Sequence, residues 1–77
     1  MKLIFCTNYG NYETYNSFNK IENLLPENFV RCHKSYIANI NKIESINDST
    51  IHFDKANKLT CYIGQVYKKK FLEVLKI

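Results

Sequence analysis

The sequence predicts a mainly β domain of small antiparallel sheets, with one short helix between strands and a second helix at the C-terminal end. Three observations carry that prediction. From Phe29 onward apolar and polar residues alternate with a period of two, as a half-buried strand requires. The stretches TIHFD (50–54) and LTCYIG (59–64) alternate in the same way and flank a short turn-forming run, the pattern of a hairpin. After Gly64 the period changes, and Tyr67, Phe71, Val74 and Leu75 recur at helical spacing.

The elements follow in order. KLIFCTN (2–8) is rich in β-formers, Tyr9 and Gly10 mark a turn, and NYETY (11–15) alternates as a returning strand does. Asn16 and Ser17 then offer capping oxygens ahead of Phe18, Ile21, Leu24 and Leu25. Those four lay one apolar stripe along a short helix, which Pro26 ends. Between residues 29 and 41, Val30, Cys32, Tyr36, Ala38 and Ile40 share the inward parity, while Arg31, His33, Ser35, Asn39 and Asn41 share the other. Lys34 breaks the alternation by falling on the apolar side, where an unpaired cation is costly to bury. A bulge or tight bend at residues 33–35, turning these side chains outward, resolves the conflict. In the later hairpin Ile51, Phe53, Leu59, Cys61 and Ile63 point inward, and Thr50, His52 and Asp54 outward. Along the last helix Lys68 and Lys69 are expected to face away from the apolar stripe.

Seventy-seven residues make one small domain, and 45% hydrophobic residues with six Tyr and five Phe suffice for a packed core. No apolar run approaches the roughly 20 residues of a membrane span. The start MKLIFCTN is too short and too polar afterwards for a signal peptide, so a cytoplasmic location is expected. The net charge of +4 is uneven: residues 1–28 sum to −1 and residues 29–77 to +5. A positive second part favours a polyanionic partner, with plain solubility an equal reading of charge alone.

Catalysis and metal binding are the readings to exclude first. Cys32 and His33 are adjacent, and adjacent strand residues point to opposite faces, so they form no nucleophile–base pair there. The chain is therefore not expected to be an enzyme. A metal site would need Cys6, Cys32, Cys61, His33 and His52 to converge, but there is no CxxC spacing and His52 lies on the outward parity. Neither a metal nor a cofactor is expected. Cys32 and Cys61 both face inward on strands that can be neighbours, which makes them a candidate redox pair as well as core packing. What remains is basic and amide chemistry. Arg31 and Lys34 lie at the bend, Lys2 near the chain start, and Lys68, Lys69 and Lys70 at the head of the last helix, with Gln65 just before them. Such a set resembles a nucleic-acid surface, where cations hold the backbone and amides read bases.

The run Phe29-x-Arg31-x-His33-x-Ser35, followed by YIANINKIESI, a hairpin and a basic final helix, closely resembles the LytTR DNA-binding domain. That domain is the output module of many bacterial response regulators, and the resemblance covers about residues 2–71. RCHKS and CYIGQVYKK look most like regulators of the accessory-gene-regulator and virulence-regulator type from Gram-positive bacteria. The resemblance implies an elongated stack of small β sheets that binds direct repeats in promoter DNA. Loops, rather than a recognition helix, enter successive major grooves. By position, one such loop falls at His33, Lys34 and Ser35, and a second at Gly64, Gln65 and Val66 with Tyr67, Lys68 and Lys69 beside it. A third falls at Met1 and Lys2.

Two departures stand out. The family commonly carries a Ser-Arg-Arg-like run where this chain has Gly64, Gln65 and Val66, so an arginine able to hold guanine bidentately is missing there. Family domains are also longer at the amino end, which implies that residues 1–77 form a single domain lacking its first strands, with a sheet edge free to pair with another copy. Two rival functions remain. One is a protein-interaction or dimerisation domain using that edge. The other is an RNA- or single-strand-binding module that stacks bases on Tyr12 and Tyr62, both on the outward parity.

Overall fold

A hairpin opens the fold in the computed structural model, which describes residues 2–76. Strands β1 (Lys2–Cys6) and β2 (Asn11–Tyr15) pair antiparallel, with Lys2 opposite Tyr15 and Cys6 opposite Asn11. Gly10 sits at φ 148°, a conformation that costs a glycine little. The Thr7 hydroxyl donates to the Gly10 carbonyl at 2.8 Å and accepts from the Tyr9 and Gly10 amides, closing the turn.

Helix α1 (Phe18–Ile21) runs into a 3-10 turn over Glu22–Leu24. It is shorter than the apolar stripe suggested. Leu25 is already extended (φ −81°, ψ 136°), as a residue before proline prefers, and Leu24 is 79% exposed. Ser17 makes no side-chain cap; Asn16 Oδ1 instead accepts from the Ser17 amide at 2.9 Å.

The alternating run from Phe29 is not one bent strand but a hairpin. Strands β3 (Phe29–Arg31) and β4 (Tyr36–Asn39) pair antiparallel, and residues 32–35 form the turn. The break at Lys34 therefore marks a full reversal. Strand β4 also pairs with β1 in parallel, giving the order β2-β1-β4-β3, so the expected antiparallel layout fails at this one pair. Flanked on both sides, β4 buries Ile37 and Ala38 on opposite faces.

The second sheet contains β5 (Ser45–Asn47), β6 (Thr50–Asp54) and β7 (Leu59–Tyr62), all antiparallel. The hairpin of β6 and β7 is the one predicted; β5 is an addition. One core joins both sheets: Cys6, Cys32 and Ala38 from the first meet Ile51, Phe53 and Cys61 from the second, with Ile63 and Phe71. Helix α2 (Gln65–Leu75) covers it with Phe71, Leu72 and Leu75. Its stripe is rotated from the one expected. Val74 is 42% exposed and Lys68, expected to face away, is half-buried. The class is mainly β as predicted, but the extents of 32 × 26 × 20 Å describe a compact body rather than a markedly elongated stack.

Candidate nucleic-acid interface

The turn of residues 32–35 is fixed from several sides. The Cys32 and His33 amides donate to the Tyr36 carbonyl at 3.0 and 3.3 Å, and the Tyr36 amide returns a bond to the His33 carbonyl at 3.3 Å. The Ser35 amide donates to His33 Nδ1 at 3.1 Å, which leaves the neutral ring with its proton on Nε2. The His33 ring lies 4.6 Å from that of Tyr36, and the Ser35 carbonyl accepts from the Ile4 amide at 2.8 Å. Lys34, at the tip, is exposed.

A second loop locks onto the first through the backbone. The Gly64 amide donates to the Cys32 carbonyl at 2.7 Å, and the Ile63 amide donates to the Ser49 carbonyl at 2.8 Å. Here glycine is favoured by closeness rather than by φ: a Cβ at position 64 would stand 3.2 Å from His33 Cδ2 and 3.3 Å from Tyr67 Cδ2, so those rings would have to shift. Gly64 is also the N-cap of α2, so Gln65 and Val66, both exposed, present the helix N-terminus at this end. That terminus carries partial positive charge, yet the first turn holds no acidic residue and Lys68, Lys69 and Lys70 follow closely. Cations here are unfavourable for the isolated helix and suit an anionic partner.

The remaining predicted residues divide. The parallel pairing of β1 with β4 places Lys2 beside the first loop, where its ammonium meets Glu13 at 2.8 Å and is held above its usual pKa by that hydrogen bond. Lys68 reaches Ser49 Oγ at 3.3 Å and Asp48 at 3.5 Å, while Lys69 is exposed. Arg31, half-buried, lies along the protein surface. Its guanidinium lies over the Phe18 ring at 4.4 Å and against Tyr67 at 5.2 Å, and it donates to the Lys34 carbonyl at 2.7 Å. Met1 lies outside the described residues. The sequence reading missed the turn at Asp48 and Ser49, which buttresses the second loop; the run Asn47, Asp48, Ser49 was the signal, and Asp48 takes φ 58° there.

The thiols form their own cluster below. Cys32 Sγ and Cys61 Sγ are 3.5 Å apart, both buried, and Cys6 joins them. The Cys61 thiol is pushed above its usual range by its hydrogen bond with Cys32 and by burial; Cys6 is pushed up by its bond to Cys61 and by burial. Among the described residues no group of three or more His, Cys, Asp or Glu is arranged to hold a metal ion. Cys32 and His33 stand in the turn rather than on a strand as expected, Cys32 buried in the core and His33 partly exposed on the loop. Among those residues, too, no helix is long and apolar enough to cross a membrane.

No curated protein and no solved structure matches this chain. A family model does: that of the LytTr DNA-binding domain, over residues 1–76. Two interlocked loops, exposed cations and a helix N-terminus on one end agree with what that family binds, and the chain belongs to the LytTR DNA-binding domain family.

Proposed function

We propose that this chain is the output module of a two-component response regulator, binding direct repeats in promoter DNA and regulating transcription from the cytoplasm. The observation that carries the reading is the hydrogen bond from Gly64 to Cys32, which holds two polar loops together at the N-terminus of α2. Lys34 and Lys69 contact phosphates, and Lys2 and Lys68 join them by exchanging carboxylate partners for phosphate oxygens. His33 through Nε2–H and Gln65 through its amide reach base edges in the major groove, and Val66, 91% exposed, meets a thymine methyl. Ser35 and Tyr67 lie at the margin, where their hydroxyls take backbone oxygens.

Random-site selection on duplex DNA, followed by anisotropy titrations across salt, tests this. Four phosphate contacts predict a log–log salt slope of about −3.6, at about −0.9 each. Binding that is insensitive to salt, or that prefers single strands, overturns the reading. Preference for single strands would favour stacking on Tyr12 and Tyr62, which are 57% and 56% exposed. The protein-interaction alternative rests on β2, an edge strand with Tyr12 and Tyr15 exposed; association of copies without DNA retention would favour it.

We propose also that Cys32 and Cys61 are a redox pair. A hydroperoxide accepts two electrons and is split to an alcohol and water, the two thiols give up their protons, and one S–S bond forms. Burial makes the reaction slow in the closed protein, because the thiolate is the reacting species. Non-reducing mass spectrometry after peroxide should show the loss of two hydrogens, absent in Cys61→Ser; no loss in the parent chain refutes the pairing.

A further inference from the structure

We propose that Arg31 is the positioning residue of the first loop, and that it acts on DNA recognition by holding that loop rather than by touching DNA; this rests on the DNA-binding reading above. Arg31 is the last residue of β3, an edge strand, and its side chain reaches across three elements. Nε donates to the His33 carbonyl at 3.3 Å and Nη2 to the Lys34 carbonyl at 2.7 Å. The guanidinium plane rests on Phe18 from α1 and on Tyr67 from the first turn of α2, at 4.4 and 5.2 Å. Among the described residues the ion pairs are Lys2 with Glu13 and Lys68 with Asp48, so half-buried Arg31 has no carboxylate partner, and carbonyl dipoles, ring faces and solvent meet its charge.

Those contacts have a direct effect on the surface. Two consecutive carbonyl oxygens of the loop are drawn to the guanidinium instead of facing outward, where they would meet phosphates. The two peptide planes that carry them are thereby fixed, and with them the bearing of His33 and the stem of Lys34. Only arginine does this: its planar fork bonds two acceptors while its face stacks on rings, whereas a lysine ammonium is a point charge without a face. The residue that looks from the sequence like a phosphate contact is a brace.

The test uses this chain with three substitutions and two readouts, DNA affinity against salt and amide exchange without DNA. Arg31→Met should lower affinity about tenfold, the scale of losing charge-assisted hydrogen bonds to the loop, with the salt slope unchanged. Arg31→Lys should not restore it. Phe18→Leu, which removes one platform and keeps the charge, should lower affinity a few-fold at the same slope. In DNA-free protein the Ser35 and Gly64 amides should exchange faster in Arg31→Met and Phe18→Leu, while amides of β6 are unchanged. A slope shallower by about 0.9 in Arg31→Met, with Phe18→Leu neutral, makes Arg31 a direct phosphate contact and overturns the proposal. Unchanged exchange at Ser35 and Gly64 overturns it as well. If Arg31→Met does not fold, Phe18→Leu carries both readouts. If the parent chain binds no DNA, the functional reading fails alone and the exchange experiment still decides whether Arg31 braces the loop.

Discussion

Two turns of equal length close hairpins in this molecule, residues 32–35 between β3 and β4 and residues 55–58 between β6 and β7. Both carry exposed lysine: Lys34 in the first, Lys55 and Lys58 in the second. The second turn is held mainly by its own residues. Asp54 accepts from the Asn57 backbone amide at 3.2 Å and from its side-chain amide at 2.8 Å, and the Lys58 amide reaches the Lys55 carbonyl at 3.2 Å. One link comes from elsewhere, the Lys55 amide to Glu44 at 3.1 Å. The first turn is held from β1, from Arg31 and from the loop at Gly64. Charge therefore does not separate the two, since the second turn has more of it. What distinguishes the turn proposed for recognition is that distant elements fix its shape and bring further donors alongside.

Removing what both turns share should have the largest effect. Phe53 is 1% exposed in the common core, and Phe53→Ala should cost about 3–5 kcal/mol. Small domains have only about 5–15 kcal/mol in total, so urea denaturation should find the midpoint of this variant sharply lowered. Next comes the tether that only the first turn has. Gly64→Val places methyls where a Cβ alone already stands 3.2 Å from His33, so it should cut DNA affinity about tenfold, the equivalent of about 1.4 kcal/mol. NMR shifts should move at residues 32–35 and stay fixed at residues 55–58. A smaller effect compares the lysines themselves. Lys34→Ala should reduce the salt slope of DNA binding by about 0.9, while Lys55→Ala and Lys58→Ala leave it unchanged; equal losses would erase the distinction between the turns.

The smallest effect belongs to the second turn and to acid. The hydrogen bonds from Asn57, side chain first, hold the Asp54 carboxyl below its usual range. A carboxyl depressed in the folded state stabilises it above the unfolded value of about 3.9, and the contribution disappears as pH falls through the folded pKa. The melting temperature of Asp54→Asn should fall slightly less than that of the parent chain on going from neutral pH to below the carboxylate range. An identical acid response in the two would remove Asp54 from the linkage.

The same contrast explains what the sequence disclosed. The later hairpin was legible because Ile51, Phe53, Cys61 and Ile63 alternate cleanly above one buried face, with a turn made by neighbours in the chain. Lys34 was legible as a break because no strand buries a lone cation. The parallel pairing of β1 with β4 was not, because it depends on partners far apart and because Ile37 and Ala38 are both buried, which blurs the alternation. For Arg31, strand parity gives the face but cannot show that the Phe18 and Tyr67 rings lie against its guanidinium. Val74 and Lys68 were exchanged for the same reason, since helical spacing fixes a stripe only to within the rotation that packing chooses.

The bond from Gly64 to Cys32 also ties recognition to folding itself. The loops meet only once both sheets and α2 are in place, so a partly folded chain has no such surface to offer. On the proposed function, duplex DNA is then a ligand of the native state. Each tenfold rise in free duplex above its dissociation constant adds about 1.4 kcal/mol to the stability of the domain. For a chain this small, the proposed DNA occupancy and persistence of the fold become linked equilibria.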